Sequence, residues 1–223
     1  MDFFVTFLPA RQARSHNRNT GLHVNLHKFI VLYPVCVYLL KFMKVCDIKG
    51  VMFQLLFDKE IYDKFILEKI PSARKFIWIG TADIKDMYIA RGTAMVPFLS
   101  VLADLIKRKV EVRLIHAKEP GPAFRKDFDK HPVLFLGLER VLCPRVHFKM
   151  IIIDGKLAYC GSANLTGAGM GAKNEKNRNF ENGFITDDPK LIEQLMEQFD
   201  SVWRGSHCKK CGRKEFCQDC PLE

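Results

Sequence analysis

The sequence predicts an α/β domain, a mixed β-sheet flanked by helices, followed by a small cysteine-bearing tail. Three observations carry this. Apolar stretches at helical spacing alternate with short, strand-length apolar runs between about residues 52 and 205. That regular region is long enough for one core. Four cysteines in two CxxC pairs crowd the last sixteen residues.

The elements follow in order. Residues 53–70 hold Leu56, Ile61, Phe65, Ile66 and Ile70 at helical spacing, with Pro71 just after, and predict a helix. Residues 75–80 (KFIWIG) read as a buried strand, 95–109 as an amphipathic helix and 110–116 as an alternating strand. Glu119-Pro-Gly-Pro122 is a loop. Residues 125–131 are polar, and 133–136 form a short apolar run. Residues 146–153, 156–160 and 180–186 read as strands, and 189–203 as a closing amphipathic helix. No internal repeat or low-complexity segment interrupts this.

The formal net charge is +10, so the surface should attract polyanions such as nucleic acid or an anionic membrane. Residues 1–49 carry seven Lys/Arg against Asp2 and Asp47, so half of the excess lies outside the regular region. Residues 1–51 read as an N-terminal extension without a motif. Its apolar run at 29–40 contains Pro34 and falls short of the roughly 20 residues a spanning helix needs. A cytoplasmic protein is the reading; membrane anchoring through residues 29–42 is the alternative.

Residues 146–164 (VHFKMIIIDGKLAYCGSAN) are the most informative. Asp154-Gly155 is two-residue turn chemistry and predicts a type I′ hairpin. With those two residues as the turn, Ile153 faces Lys156, Lys149 faces Cys160 and His147 faces Ser162. Side chains two apart share a face. An imidazole (His147), an ammonium (Lys149), a hydroxyl (Ser162) and an amide (Asn164) then converge at the end remote from the turn. Neutral imidazole is a good nucleophile. Lys149 and Asn164 can neutralise and hydrogen-bond the non-bridging oxygens of a phosphate as charge develops. Asn179-Phe180-Glu181 opens a later strand, and Glu181 could accept the Nδ1 proton of His147 and orient the ring.

His147-x-Lys149-x4-Asp154, then Gly161-Ser162-x-Asn164 and Asn179-x-Glu181, resembles the HKD signature of the phospholipase D superfamily. The branch it is most similar to has a single motif and includes Nuc-type endonucleases and Zucchini-like proteins. The resemblance covers roughly residues 52–205. It implies a phosphodiesterase that acts through a phosphohistidine intermediate without a catalytic metal. Asp154 belongs to the signature. Along an extended strand, however, it lies about 20 Å from His147, so its expected role is structural. The superfamily uses two histidines, nucleophile and acid, from two motifs. This chain has one motif, and His116, His131 and His207 lie outside any second one. The expectation is a homodimer with a shared active site.

Cys208, Cys211, Cys217 and Cys220 supply four thiolates, the usual complement of a structural zinc site, and make residues 206–223 a four-cysteine zinc knuckle. Three functions follow from two classes. A nuclease with DNA or RNA as substrate is favoured by the charge. A phospholipid hydrolase or phosphatidyltransferase is favoured by the apolar run. A non-catalytic nucleic-acid-binding protein is disfavoured by the complete residue set.

Overall fold

The computed structural model describes residues 50–85 and 87–219. The apolar run at 29–42, Cys220 and the N-terminal extension up to residue 49 lie outside the described residues. Among the described residues, no helix is long and apolar enough to cross a membrane.

Nine strands are described: β1 (Phe53–Phe57), β2 (Phe76–Thr81), β3 (Tyr88–Arg91), β4 (Ala94–Pro97), β5 (Glu111–His116), β6 (Leu138–Leu142), β7 (Met150–Ile153), β8 (Leu157–Gly161) and β9 (Asn182–Thr186). The helices are α1 (Ile61–Leu67, π-wound), α2 (Phe98–Lys107), α3 (Pro122–Asp129), α4 (Val133–Gly137) and α5 (Pro189–Trp203). Seven strands form one sheet in the order β1-β9-β8-β7-β2-β5-β6, and β3 and β4 pair separately. β2, β5 and β6 run parallel, whereas β2–β7, β7–β8, β8–β9 and β9–β1 are antiparallel. The sheet is mixed and flanked by helices, as the alternation of patterns predicted.

Alternate residues of the central strands separate into two cores, as the two-residue side-chain period requires. Ile77 and Ile79 of β2, Val112 and Leu114 of β5, and Ile151 and Ile153 of β7 pack with α1 and α2. Ile115, Met150, Ile152 and Ala158 pack with Ile192 and Phe199 of α5. Helix α5 starts where sequence chemistry says it should. Asp188 accepts from the Lys190 N–H at 2.8 Å, and Pro189 follows it. On the α5 side, Trp78 stacks on Phe199 (5.0 Å) and Phe199 on Trp203 (5.9 Å). The Arg113 guanidinium lies 5.4 Å from the Trp78 ring centre and 5.1 Å from that of Trp203.

Several expectations are corrected. Residues 53–70 are not one helix. Leu56 is buried between the exposed Leu55 and Phe57, a strand alternation, and Asp58 at φ +47° breaks the chain before α1. The tertiary pairing with β9 overrides the apolar spacing. The helix expected from residue 95 starts at Phe98, because residues 94–97 pair with β3. The polar stretch 125–131 falls largely in α3. The apolar run at 133–136 lies in α4. β6, an edge strand of mixed composition, carries no sequence signal. The strand expected from residue 146 begins at Met150.

The hairpin register also differs. Asp154 (φ +55°) and Gly155 (φ +64°) both take the left-handed conformation a type I′ turn requires, and the Lys156 N–H donates to Ile153 O at 2.9 Å. Lys156 nevertheless stays outside the ladder, so Ile153 faces Leu157 and Met150 faces Cys160. The expected pairing of Lys149 with Cys160 and of His147 with Ser162 is therefore one residue out of step. Such a slip exchanges the faces of one strand relative to the other.

Candidate active site

The polar residues assemble where the parallel strands end. Thr81 is the last residue of β2 and lies beside His116, the last of β5. Gly80 faces Met150, so the same register carries Lys149 next to Thr81. On the other side of β7, the Gly161 N–H donates to Lys149 O at 3.1 Å, and Gly161 faces Gly183. Glu181 lies two residues before Gly183. Lys149 and Glu181 thereby extend the face of Ile151 and Ile185, which belong to the α1/α2 core. Small residues are required between them. A Cβ on Gly183 would sit 2.6 Å from the Tyr159 ring, and one on Gly161 2.5 Å from Asn182 O.

Lys149 is only 7% exposed. Its Nζ donates to His147 O at 2.6 Å and lies 3.2 Å from Nδ1 of the His147 ring. Burial lowers its pKa, and the nearby Glu181 carboxylate opposes that shift. His147 itself is exposed, so its ring can meet a substrate. Asn164 is held by its carbonyl oxygen, which accepts from the Asp83 N–H at 3.1 Å and from Thr81 Oγ1 at 3.4 Å. With Oδ1 so engaged, the amide Nδ2 is the group left to donate to a ligand.

Glu181 departs from its expected partner. One carboxylate oxygen accepts from Ser162 Oγ, and the other from Asn179 Nδ2 at 3.0 Å. The carboxylate thus ties Ser162 and Asn179 together and acts electrostatically on Lys149; the polar neighbour of the His147 ring is Lys149. Ser162 keeps its place despite the register slip because its side chain turns to β9. With its proton given to Glu181, its Oγ accepts from the Asn182 N–H at 3.1 Å.

Asp154 stands apart from all of these. Its carboxylate accepts from the backbone N–H groups of Lys75 (2.7 Å), Phe76 (2.9 Å) and Arg74 (2.9 Å), fastening the start of β2. Burial pushes its pKa up, but these N–H groups and Lys156 outweigh it and hold the carboxyl below its usual range.

Sequence reasoning missed Thr81 and Asp83, which hold Asn164. It also missed Asp58, whose carboxylate accepts from the Glu181 N–H at 2.8 Å and whose own N–H donates to Glu181 O at 2.9 Å. Both pairings join segments far apart in the chain, so no local spacing announces them. In the tail, Cys208, Cys211 and Cys217 line one cavity with Cys143 and His207. Among the described residues no group of three or more His, Cys, Asp or Glu is placed to hold a metal ion.

Residues 66–203 match the family model of the cardiolipin synthase, phospholipase D-like domain. The chain belongs to the phospholipase D superfamily. Superfamily enzymes need no catalytic metal. The phospholipase D-like match begins within α1 and ends with α5, so β1 and the cysteine tail lie beyond it. A mitochondrial cardiolipin hydrolase from Chlamydomonas reinhardtii is 32% identical over 104 residues, which are 46% of this chain and 44% of that protein. The matched stretch is therefore less than half of that relative's length. Among solved structures, NucT from Helicobacter pylori aligns with a TM-score of 0.51 at 17% identity, covering 69% of this chain and 96% of that one. Nuc from Salmonella typhimurium, a phospholipase D family member, aligns at 0.50 with 21% identity, covering 69% and 95%. These two likenesses speak to the fold, which this phospholipase D-like domain shares almost end to end.

Proposed function

We propose that this chain is a phosphodiesterase hydrolysing nucleic-acid phosphodiester bonds through a phosphohistidine at His147. One observation carries the reading. An exposed imidazole sits on a buried ammonium whose Nζ lies 3.2 Å from its Nδ1. The His147 Nε2 attacks phosphorus. Lys149 Nζ and Asn164 Nδ2 take the non-bridging oxygens as charge builds. The bond to the leaving oxygen breaks, and that oxygen takes a proton from a second imidazole. Water then attacks the phosphohistidine, the second imidazole removes its proton, and His147 is regenerated.

Each chain brings one such imidazole, so the acid is assigned to His147 of a second copy across a twofold axis. Mixed dimers of wild-type and His147→Ala chains should then be essentially inactive. Activity proportional to the wild-type fraction would refute the shared site.

Nucleic acid is favoured by the charge of +10 and by Lys173, Lys176 and Arg178 on the loop that leads into Asn179. A lipid phosphodiester is the second reading, favoured by the relative named a cardiolipin hydrolase. The deciding experiment offers a fluorescent oligonucleotide, cardiolipin vesicles and short-chain phosphatidylcholine to the protein in excess EDTA. Oligonucleotide cleavage supports the first reading. Turnover of a lipid alone transfers the assignment to the second, and a strict requirement for added divalent metal removes the mechanism.

We also propose that Cys208, Cys211, Cys217 and Cys220 bind a structural zinc, a reading supported by the three described thiols that line one cavity. About one zinc per chain by elemental analysis is the expected result; metal-free protein contradicts it.

A further inference from the structure

We propose that the cysteine-bearing tail clamps the strand that carries the nucleophile, and that Asp219 is a positioning residue for His147. The inference rests on the reading of His147 given above. Leu142 ends β6, the outermost strand of the sheet, and among the described residues no further strand pairs with it. The next residue turns inward, since the Cys143 N–H donates to His116 O on β5 at 2.8 Å. The Leu142 N–H therefore points outward, as alternation along a strand requires. The tail receives it: Asp219 Oδ2 accepts from that N–H at 2.6 Å, and Cys217 Sγ approaches Leu142 O at 3.7 Å.

From Leu142 the chain runs through one turn, closed by Val146 N–H to Cys143 O at 3.0 Å, and arrives at His147. The β7 ladder begins only at Met150. Among the described residues no strand pairing holds His147, so its position is inherited from the lysine beneath it and from residues 142–146. Those residues are fastened on one side to β5 and on the other to the tail.

A second observation places the tail against the same stretch. A cavity of roughly 240 Å³ separates them, with Arg145, Val146 and Phe148 on one wall and Cys208, Cys211, Lys214 and Cys217 on the other. Val146 and Phe148 flank His147 directly. The tail thus backs the nucleophile from behind the face that meets substrate. These tail residues, which form the clamp, lie beyond the stretch that the phospholipase D-like family model matches.

The test uses the full chain and whichever diester the wild-type protein turns over. Asp219→Ala should lower kcat about tenfold, which corresponds to ~1.4 kcal/mol in the barrier, and leave KM unchanged. Asp219→Asn keeps a carbonyl acceptor for Leu142 and should recover most of that rate. Amide exchange guards against a loss that is merely structural. The Leu142 N–H should exchange faster in Asp219→Ala and recover in Asp219→Asn, while Ile79 inside β2 stays protected in both. Wild-type kcat in Asp219→Ala, an effect on KM alone, no recovery by Asn, or faster exchange that reaches Ile79 would each overturn the clamp. A wild-type protein that turns over no diester would instead fail the reading of His147 itself.

Discussion

The two ends of the β7–β8 hairpin carry parts of one signature yet are built on opposite terms. At the turn end, the Asp154 carboxylate accepts from three backbone N–H groups and its pKa is held low. At the other end, Lys149 is buried with its pKa lowered, beside an exposed imidazole. One end has its charge satisfied by the backbone it fastens. The other keeps a charge under strain and a ring open to solvent, which is what a phosphate can relieve. The HKD spacing thus joins an anchor to the proposed reacting centre about a strand's length away.

Substitutions at the reacting end should be the most severe. His147→Ala should abolish diester cleavage while melting near the wild-type temperature; measurable turnover would require another nucleophile. Lys149→Ala should cost on the order of 10²-fold or more in kcat, as for other groups that stabilise developing charge. Because burial lowers the Lys149 pKa, the alkaline limb of the kcat profile should fall below the ordinary lysine range of about 10.4. Lys149→Arg should push that limb upward; a limb that stays put belongs to a different group. Asn164→Ala should also lose on the order of 10²-fold, and Asn164→Asp should be no better, since the lost function is donation by Nδ2. Near wild-type rates in either variant would remove Asn164 from the site.

The anchor end should respond in stability. Asp154→Asn places a donor where Asp154 accepts and should cost about 1.5–3 kcal/mol at neutral pH, the scale of hydrogen bonds to a charged group. The folded carboxyl titrates below its unfolded value, so its contribution is complete above about pH 4 and is lost as pH falls through the folded value. The gap between wild type and variant should narrow on acidification. A constant gap would mean that the Asp154 charge does not stabilise the fold, and a well-folded but dead variant would mean that Asp154 belongs to the chemistry.

Much of this was legible in the sequence. The Asp154-Gly155 turn, helix α5 and the contact between His147 and Lys149 follow from local spacing, because each rule acts within a few residues. The misreadings share the opposite property. β1 resembled part of a helix until β9 claimed it as an edge strand. Lys156 slipped out of the ladder, although the turn itself formed as predicted. Ser162 reached the site through β9, by a bond to Glu181 nineteen residues away. The partners that hold Asn164, Thr81 and Asp83, lie more than eighty residues away. Tertiary pairing chose each of these, and no periodicity encodes it.

The stack of Trp78, Phe199 and Trp203 around Arg113 contains both tryptophans of the chain. Intrinsic fluorescence therefore watches one place, the seating of α5 on the sheet. The face that bears Lys149 and Glu181 has no indole and is spectrally silent. A red-shifted emission would signal that α5 had lifted, whereas a ligand engaging His147 from the opposite face would leave the spectrum unmoved. One optical signal thus separates loosening of the scaffold from occupation of the site.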